Sequence, residues 1–76
     1  MNNSRRDILK LAIKSLESAS CLASQALDKE QDCFDNIPEN LQESERYQKM
    51  ESAIEKLEEA IEQIDAAKEN IEEASE

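Results

Sequence analysis

The chain has 76 residues, a formal net charge of −10 at pH 7, one Pro, two Cys, and neither Gly nor His. A chain this short forms one domain at most and buries little core. The absence of His excludes imidazole bases and the usual zinc frameworks, and the absence of Gly excludes phosphate-binding loops. We therefore expect neither an enzyme nor a bound cofactor or metal. The composition, rich in Glu, Lys, Ala and Leu, is typical of long helices.

The apolar residues are scattered along the chain in runs of at most three. A membrane span needs about 20 consecutive apolar residues, and the N-terminus lacks the apolar core of a secretory signal. We expect a soluble protein that stays in the cytoplasm with reduced thiols and no membrane partner. Cys21 and Cys33, on one helix, would lie about 18 Å apart, which is too far for a disulfide.

The first predicted helix spans residues 4–32, with Ser4 and Asp7 as a loose capping box at its start. Apolar residues then recur at steps of three and four, the period of an amphipathic helix. They are Leu9, Ala12, Ile13, Leu16, Ala19, Ala23, Ala26 and Leu27. Leu11 and Leu22 lie off this stripe and form a weak second one, which is either a further contact or a pair of ordinary exposed leucines.

The predicted loop spans residues 33–43. Asn36 and Pro38 are turn-forming residues, and Pro38 disfavours helical geometry at Ile37. Phe34, Ile37 and Leu41 are expected to close that end of the structure.

The second predicted helix spans residues 44–74, with Ser44 as its N-cap. Its sequence repeats every seven residues, which predicts left-handed coiled-coil packing. In the apolar columns only Lys68 departs from the pattern. The three columns are Tyr47, Ile54, Ile61, Lys68; Met50, Leu57, Ile64, Ile71; and Ala53, Ala60, Ala67, Ala74.

Two helices of similar length joined by a short connection become antiparallel neighbours. We therefore predict one all-α domain over residues 1–76, an antiparallel two-helix hairpin. Residues 1–14 carry four basic side chains and one acidic, whereas the end of the second helix is acidic. The hairpin would place Arg5 and Arg6 beside Glu69, Glu72, Glu73 and Glu76, which favours this orientation. Columns of small residues predict a close helix seam, made of Ala12, Ala19, Ala26 (extended by Cys33), Ala53, Ala60 and Ala67.

One hairpin leaves each large apolar side chain partly open to water, and ordering each residue costs roughly 1.5 kcal/mol. A second copy would roughly double the burial. We therefore predict a homodimer that forms a four-helix bundle. The residues expected to self-associate are the large apolar ones of the two stripes: Leu9, Ile13, Leu16, Leu27, Met50, Ile54, Leu57, Ile61, Ile64 and Ile71.

Two charged surfaces are candidates for other partners. The basic side chains Arg5, Arg6, Lys10 and Lys14 would hold an anionic ligand or pair with the acidic end of the second helix; pairing is favoured. The acidic face of the second helix either meets a protein with a basic surface or is a solvated face; the latter is favoured. This face comprises Glu55, Glu58, Glu59, Glu62 and Glu69. Direct binding of nucleic acid is disfavoured, since net −10 repels phosphate.

The segment Phe34–Tyr47, FDNIPENLQESERY, resembles the loop of a group of small acidic helical-hairpin proteins. The group is encoded by Gram-positive bacteria and by their phages and mobile elements. The heptads from Ala53 to Ala74 resemble the same group. The resemblance implies a helical hairpin and a phage-related setting, but no mechanism.

The leading functional hypothesis is a small non-enzymatic interaction protein that self-associates through its Ile, Leu and Ala stripes. The alternative is an inhibitor from a phage or mobile element. It would block a host defence protein by nucleic-acid mimicry or by sequestering a ligand. If modest salt dissociates the chain from a basic partner, nucleic-acid mimicry is favoured.

Overall fold

The structure, a computed structural model, describes residues 3–76. It contains two long helices, α1 (Asn3–Asp35) and α2 (Glu45–Ala74), with a 3-10 turn (Glu39–Leu41) between them. The helices pack against each other along their length, so the described chain has principal extents of 60 × 15 × 13 Å. The predicted all-helical hairpin is confirmed. Neither helix offers the uninterrupted apolar length that crossing a membrane would require.

The first helix continues to Asp35, three residues beyond its predicted end. Asn36 explains the extension, because its Nδ2 donates to the carbonyl oxygen of Asp32 at 2.7 Å. Its backbone N–H also bonds the carbonyl of Cys33 at 3.3 Å. These bonds satisfy carbonyls that a helix C-terminus leaves without partners. Cys33 and Phe34 therefore belong to the last turn of α1, not to the loop.

The connection is a tight turn that ends in a capped helix. The N–H of Leu41 bonds the carbonyl of Pro38 at 2.9 Å, and the N–H of Ser44 bonds the carbonyl of Leu41 at 3.1 Å. Ser44 then caps α2 as predicted, since its Oγ accepts from the N–H of Tyr47 at 3.2 Å. Such a cap contributes about 1 kcal/mol, and it fixes where α2 begins.

The interface between the helices is made by positions that alternate in steps of three and four, the spacing of coiled-coil packing. Along α1 the half-buried residues at this spacing are Leu9, Ile13, Leu16, Ser20, Ala23, Leu27, Glu30 and Phe34. Along α2 they are Tyr47, Met50, Ile54, Leu57, Ile61, Ile64, Lys68 and Ile71. Ile54 is the most buried side chain described, at 8% exposed.

Two contacts set the antiparallel register of the hairpin. At the loop end, the rings of Phe34 and Tyr47 stack with centroids 4.6 Å apart and an interplanar angle of 28°. Towards the open end, Lys68 Nζ lies 3.3 Å from Glu17 Oε2. The middle of α1, near Ser20, is therefore level with the stretch of α2 around residues 61–65.

Candidate functional site

The large apolar residues expected to meet a second copy lie between the two helices of one hairpin. Of the ten, Ile54 is buried and the other nine are half-buried. They hold the hairpin together, and only the fraction still exposed is open to further contact. A candidate surface for association must therefore be sought on the outside of the hairpin.

The predicted close seam of alanines needs a correction. Ala12, Ala53, Ala60 and Ala67 are half-buried at the edge of the helix interface, but Ala19 and Ala26 are exposed, as is Cys33. The reason is geometric: the alanine column of α1 lies beside the packing columns, whose central positions are taken by Ser20 and Ala23. Ala19 and Ala26 lie at the flank of this interface, where they are exposed to solvent.

One side of the hairpin gathers charged residues from both helices, and we call it the charged side. At the open end, Arg6 and Lys10 line a groove with Glu72 and Glu76. Half-way along, a second groove is lined by Glu17, Cys21 and Ser24 of α1 and by Asp65 and Lys68 of α2. These two grooves identify which flank of each helix faces this side.

The candidate anion patch lies partly in the first of these grooves. Its four members, Arg5, Arg6, Lys10 and Lys14, are all exposed. Arg6 and Lys10 have the carboxylates of Glu72 and Glu76 as neighbours in the same groove. Acidic neighbours weaken the attraction for an anion, so this arrangement favours pairing within the hairpin over binding of an anionic ligand.

The candidate acidic face is an outer face of α2. Its five glutamates, Glu55, Glu58, Glu59, Glu62 and Glu69, are all exposed and recur at helical spacing along α2. Lys56 pairs with Glu59 at 3.2 Å. The arrangement is a continuous strip of carboxylates open to solvent.

The side opposite the charged grooves has a different composition, and we call it the uncharged face. On α1 it presents three large apolar residues, Ile8, Leu11 and Leu22, which are 61%, 65% and 65% exposed. Small residues separate them at the three- and four-residue steps that define one side of a helix. The face comprises Ile8, Leu11, Ser15, Ala19, Leu22 and Ala26 of α1 with Ala53, Ala60 and Ala67 along the near edge of α2, and the exposed Lys49 and Lys56 border it on α2.

The uncharged face was only partly visible in the sequence. The sequence pattern indicates Leu11 and Leu22 as a weak second stripe, and that prediction does not include Ile8. The signal that completes the face is the seven-residue spacing of Ile8, Ser15 and Leu22. Lys29 continues that spacing and interrupts the face near its loop end, and Glu30 lies half-buried at its margin.

At the loop end the uncharged face runs into a groove of about 290 Å³, which we call the loop notch. Cys33 belongs to it and follows Ala19 and Ala26 at the same seven-residue spacing, so the notch opens on the same side as the uncharged face. Most of its lining is apolar. It is lined by Cys33, Asn36, Ile37, Pro38, Leu41, Ser44, Arg46 and Met50.

The exception in the apolar columns, Lys68, makes an ion pair between the helices. Its side chain is 33% exposed, and its Nζ lies 3.3 Å from Glu17 Oε2. A charged residue at a packing position specifies register and orientation at a cost in stability. Lys68 thus favours the register observed here over neighbouring ones.

Replacing Lys68 with Leu is expected to raise the midpoint of thermal unfolding by about 4–8 °C, the equivalent of about 1 kcal/mol in a chain this short. Leu would fill a packing column, and loss of a partly exposed ion pair costs at most about 1 kcal/mol. Lys14→Leu, at an exposed position of α1, is the matched control and should shift stability by less than about 0.5 kcal/mol. A lower midpoint for Lys68→Leu, measured by circular dichroism, would contradict this interpretation.

The acidic side chains and the two thiols are dispersed over the described surface. Within residues 3–76, no group of three or more His, Cys, Asp or Glu side chains is placed to hold a metal ion. Cys21 and Cys33 are free and exposed, with Cys21 on the charged side and Cys33 in the loop notch.

No protein-family model, no curated protein and no solved structure matches this chain. Its function must therefore be argued from the surfaces of the hairpin. Of these, the uncharged face departs furthest from an ordinary solvated helix surface, because it exposes three large aliphatic side chains on a strongly acidic protein.

Proposed function

We propose that this chain is a small acidic, non-enzymatic interaction protein that self-associates as a homodimer through its uncharged face. The two hairpins would together form a four-helix bundle. The observation that carries the proposal is the exposure of Ile8, Leu11 and Leu22 on one side of α1, beside small residues of both helices. This moves the contact from the half-buried Ile and Leu stripes to the outside of the hairpin.

The composition of the face suits close packing against a second copy. It runs from Ile8 to Ala26 of α1, about 27 Å at about 1.5 Å per residue, and the loop notch continues it toward the loop end. The small residues on the face permit helices to approach to the low end of the usual separation of about 8–10 Å. The leucines would then insert between alanines and serines of the second copy.

The stability of one hairpin also argues for a partner. Among residues 3–76 Ile54 is the one buried side chain, at 8% exposed, and the other interface residues are more exposed to water. Short chains with so little core are usually stabilised by staples or by oligomerisation. Covering the uncharged face would also bury more of Ala53, Ala60 and Ala67, which lie between that face and the helix interface.

The distribution of charge permits the association despite a net charge of −10 on each copy. The five glutamates of the candidate acidic face lie on the outside of α2, and the charged grooves lie on the far side of the hairpin. Face-to-face contact would therefore leave most carboxylates in solvent, where salt screens their repulsion beyond about 10 Å at 0.1 M.

Leu22→Glu tests this proposal. The substitution places a charge in the middle of the proposed interface and is expected to weaken the dimer by about 10- to 100-fold, while α1 stays helical because Leu22 is 65% exposed in the hairpin. Sedimentation equilibrium measures the dissociation constant.

Gln48→Glu is the control for Leu22→Glu, because it adds the same charge at an exposed position of α2. It should leave the dissociation constant nearly unchanged. If Leu22→Glu associates as tightly as the natural chain, the uncharged face is not the interface.

A second candidate function is suggested by the strip of exposed glutamates on α2. In the proposed dimer this strip stays outward, where it would meet a protein with a basic groove as DNA phosphates do. In the phage-related setting that the loop resemblance implies, such a protein would be a host defence factor. Sequestration of an anionic ligand has less support, because Glu72 and Glu76 share the groove of Arg6 and Lys10. Binding by mimicry would be lost at modest salt.

A further inference from the structure

The two copies of the proposed dimer can be oriented. With the uncharged faces in contact, a two-fold axis places the two loops either at the same end of the bundle or at opposite ends. We infer that the loops lie at opposite ends, with Ile8 of each copy seated in the loop notch of its partner. This inference rests on the proposed dimer and goes beyond it, because it specifies which residues meet.

The loop notch has the shape and chemistry to receive an aliphatic side chain. Its volume is about 290 Å³, and Ile37, Pro38, Leu41 and Met50 supply most of its walls. An apolar cavity of about 150 Å³ accepts a molecule as large as benzene, so the notch has room for the side chain of Ile8. Leu41, 49% exposed at its rim, would be covered by the same contact.

The positions of the large and small residues along α1 fit this orientation. Ile8 and Cys33 lie 12 and 13 residues from Ser20, close to the middle of α1. When two α1 helices cross there in opposite directions, Ile8 meets the partner's Cys33 at the loop notch. In the same register Leu22 meets the partner's Ala19, so a large side chain faces a small one as close packing requires.

The charge at the two ends of the hairpin favours one of the two orientations. The loop end of the hairpin, residues 28–51, contains eight acidic and three basic side chains, a net charge of −5. The open end, residues 3–14 with 66–76, contains five of each and is neutral. Loops at the same end would bring two charges of −5 together. Loops at opposite ends place each acidic loop beside a neutral end that carries Arg5 and Arg6, which avoids that repulsion.

Disulfide trapping tests the orientation. The full chain carrying Cys21→Ser and Ile8→Cys retains Cys33 and would be oxidised with glutathione disulfide, which takes the two electrons and two protons released as each sulfur–sulfur bond forms. A bond needs Cα atoms about 4.4–6.8 Å apart. We expect a covalent dimer whose peptide map shows residue 8 joined to the partner's Cys33.

Two controls accompany the trap. The Cys21→Ser chain should give little covalent dimer, since Cys33 and the partner's Cys33 would lie about 38 Å apart. Lys10→Cys in the same background places the thiol on the charged side and should give at least about tenfold less covalent dimer than Ile8→Cys, because its local concentration near Cys33 is lower.

Failure of the orientation is distinguishable from failure of the dimer. Cys33 joined to Cys33, or a dimer by mass without the 8–33 bond, would overturn the orientation while leaving self-association in place. A monomeric mass for the reduced natural chain would overturn both.

Discussion

Ile54→Ala is expected to abolish most of the cooperative thermal unfolding of the hairpin. Ile54 is the most buried side chain described, at 8% exposed, and removing such a side chain from a core costs about 2–4 kcal/mol. A single small core rarely supplies more than about 3–5 kcal/mol, so the loss consumes most of the stability. Far-UV circular dichroism at rising temperature measures the effect, with loss of helicity at 25 °C as the expected result.

The control for Ile54→Ala is Leu41→Ala, a truncation of similar size at a residue that is 49% exposed in the 3-10 turn. It should cost well under half as much, because less apolar area leaves water when Leu41 folds. If the two variants have the same midpoint of thermal unfolding, the hairpin does not depend on the packing around Ile54.

Ala60→Glu is expected to damage both the hairpin and its association. Ala60 is half-buried where the helix interface meets the uncharged face, so a glutamate there must place its charge between helices or push them apart. Partial burial of an unpaired charge is among the changes that cost several kcal/mol. We expect a loss of about 2 kcal/mol or more in unfolding free energy and a monomeric mass.

Ala66→Glu is the matched control, since Ala66 is an exposed residue of the same helix. It adds the same charge among the carboxylates of α2, and like charges on a helix surface cost only about 0.2–0.5 kcal/mol. Urea unfolding distinguishes the two variants. Equal unfolding free energies would mean that Ala60 is as solvated as Ala66.

The hairpin could be predicted because the seven-residue repeat of α2 marks its packing positions. Large aliphatic residues occupy nearly every packing position from Met50 to Ile71, and Lys68 is the visible exception. The loop could also be predicted, because Pro38 and Ser44 act through local geometry that does not depend on the rest of the fold. The first residue of the loop could not be predicted, because a side-chain hydrogen bond of Asn36 extends α1 to Asp35.

The packing face of α1 was harder to predict, for a physical reason. At its centre the positions that face α2 are Ser20 and Ala23, and nearer the loop end one is Glu30. A pattern based on hydrophobicity passes over Ser20 and Glu30. It gives equal weight to Ala19 and Ala26, whose small side chains carry little information about which way they face. The large residues Leu9, Leu16 and Leu27 were assigned to the correct stripe because burying them has a large free-energy consequence.

The candidate surface could not be derived from either helix separately. Ile8, Leu11 and Leu22 form one stripe on α1, but the stripe becomes a broad face only because the hairpin places Ala53, Ala60 and Ala67 on the same side. That placement depends on which flank of α2 adjoins each flank of α1 in the folded hairpin. The loop notch likewise combines α1, the turn and α2, and no short segment of the sequence contains it.

The central claim is that this chain forms a dimer through its uncharged face. Its most direct test is the absolute mass of the natural chain, by light scattering after size exclusion over a wide range of protein concentration. The account predicts twice the chain mass of 8.6 kDa. At the same protein concentration it predicts a lower mass for Leu22→Glu and an unchanged mass for Gln48→Glu. A folded monomer at every concentration would contradict it, and Ile8, Leu11 and Leu22 would then be exposed side chains without a self-partner.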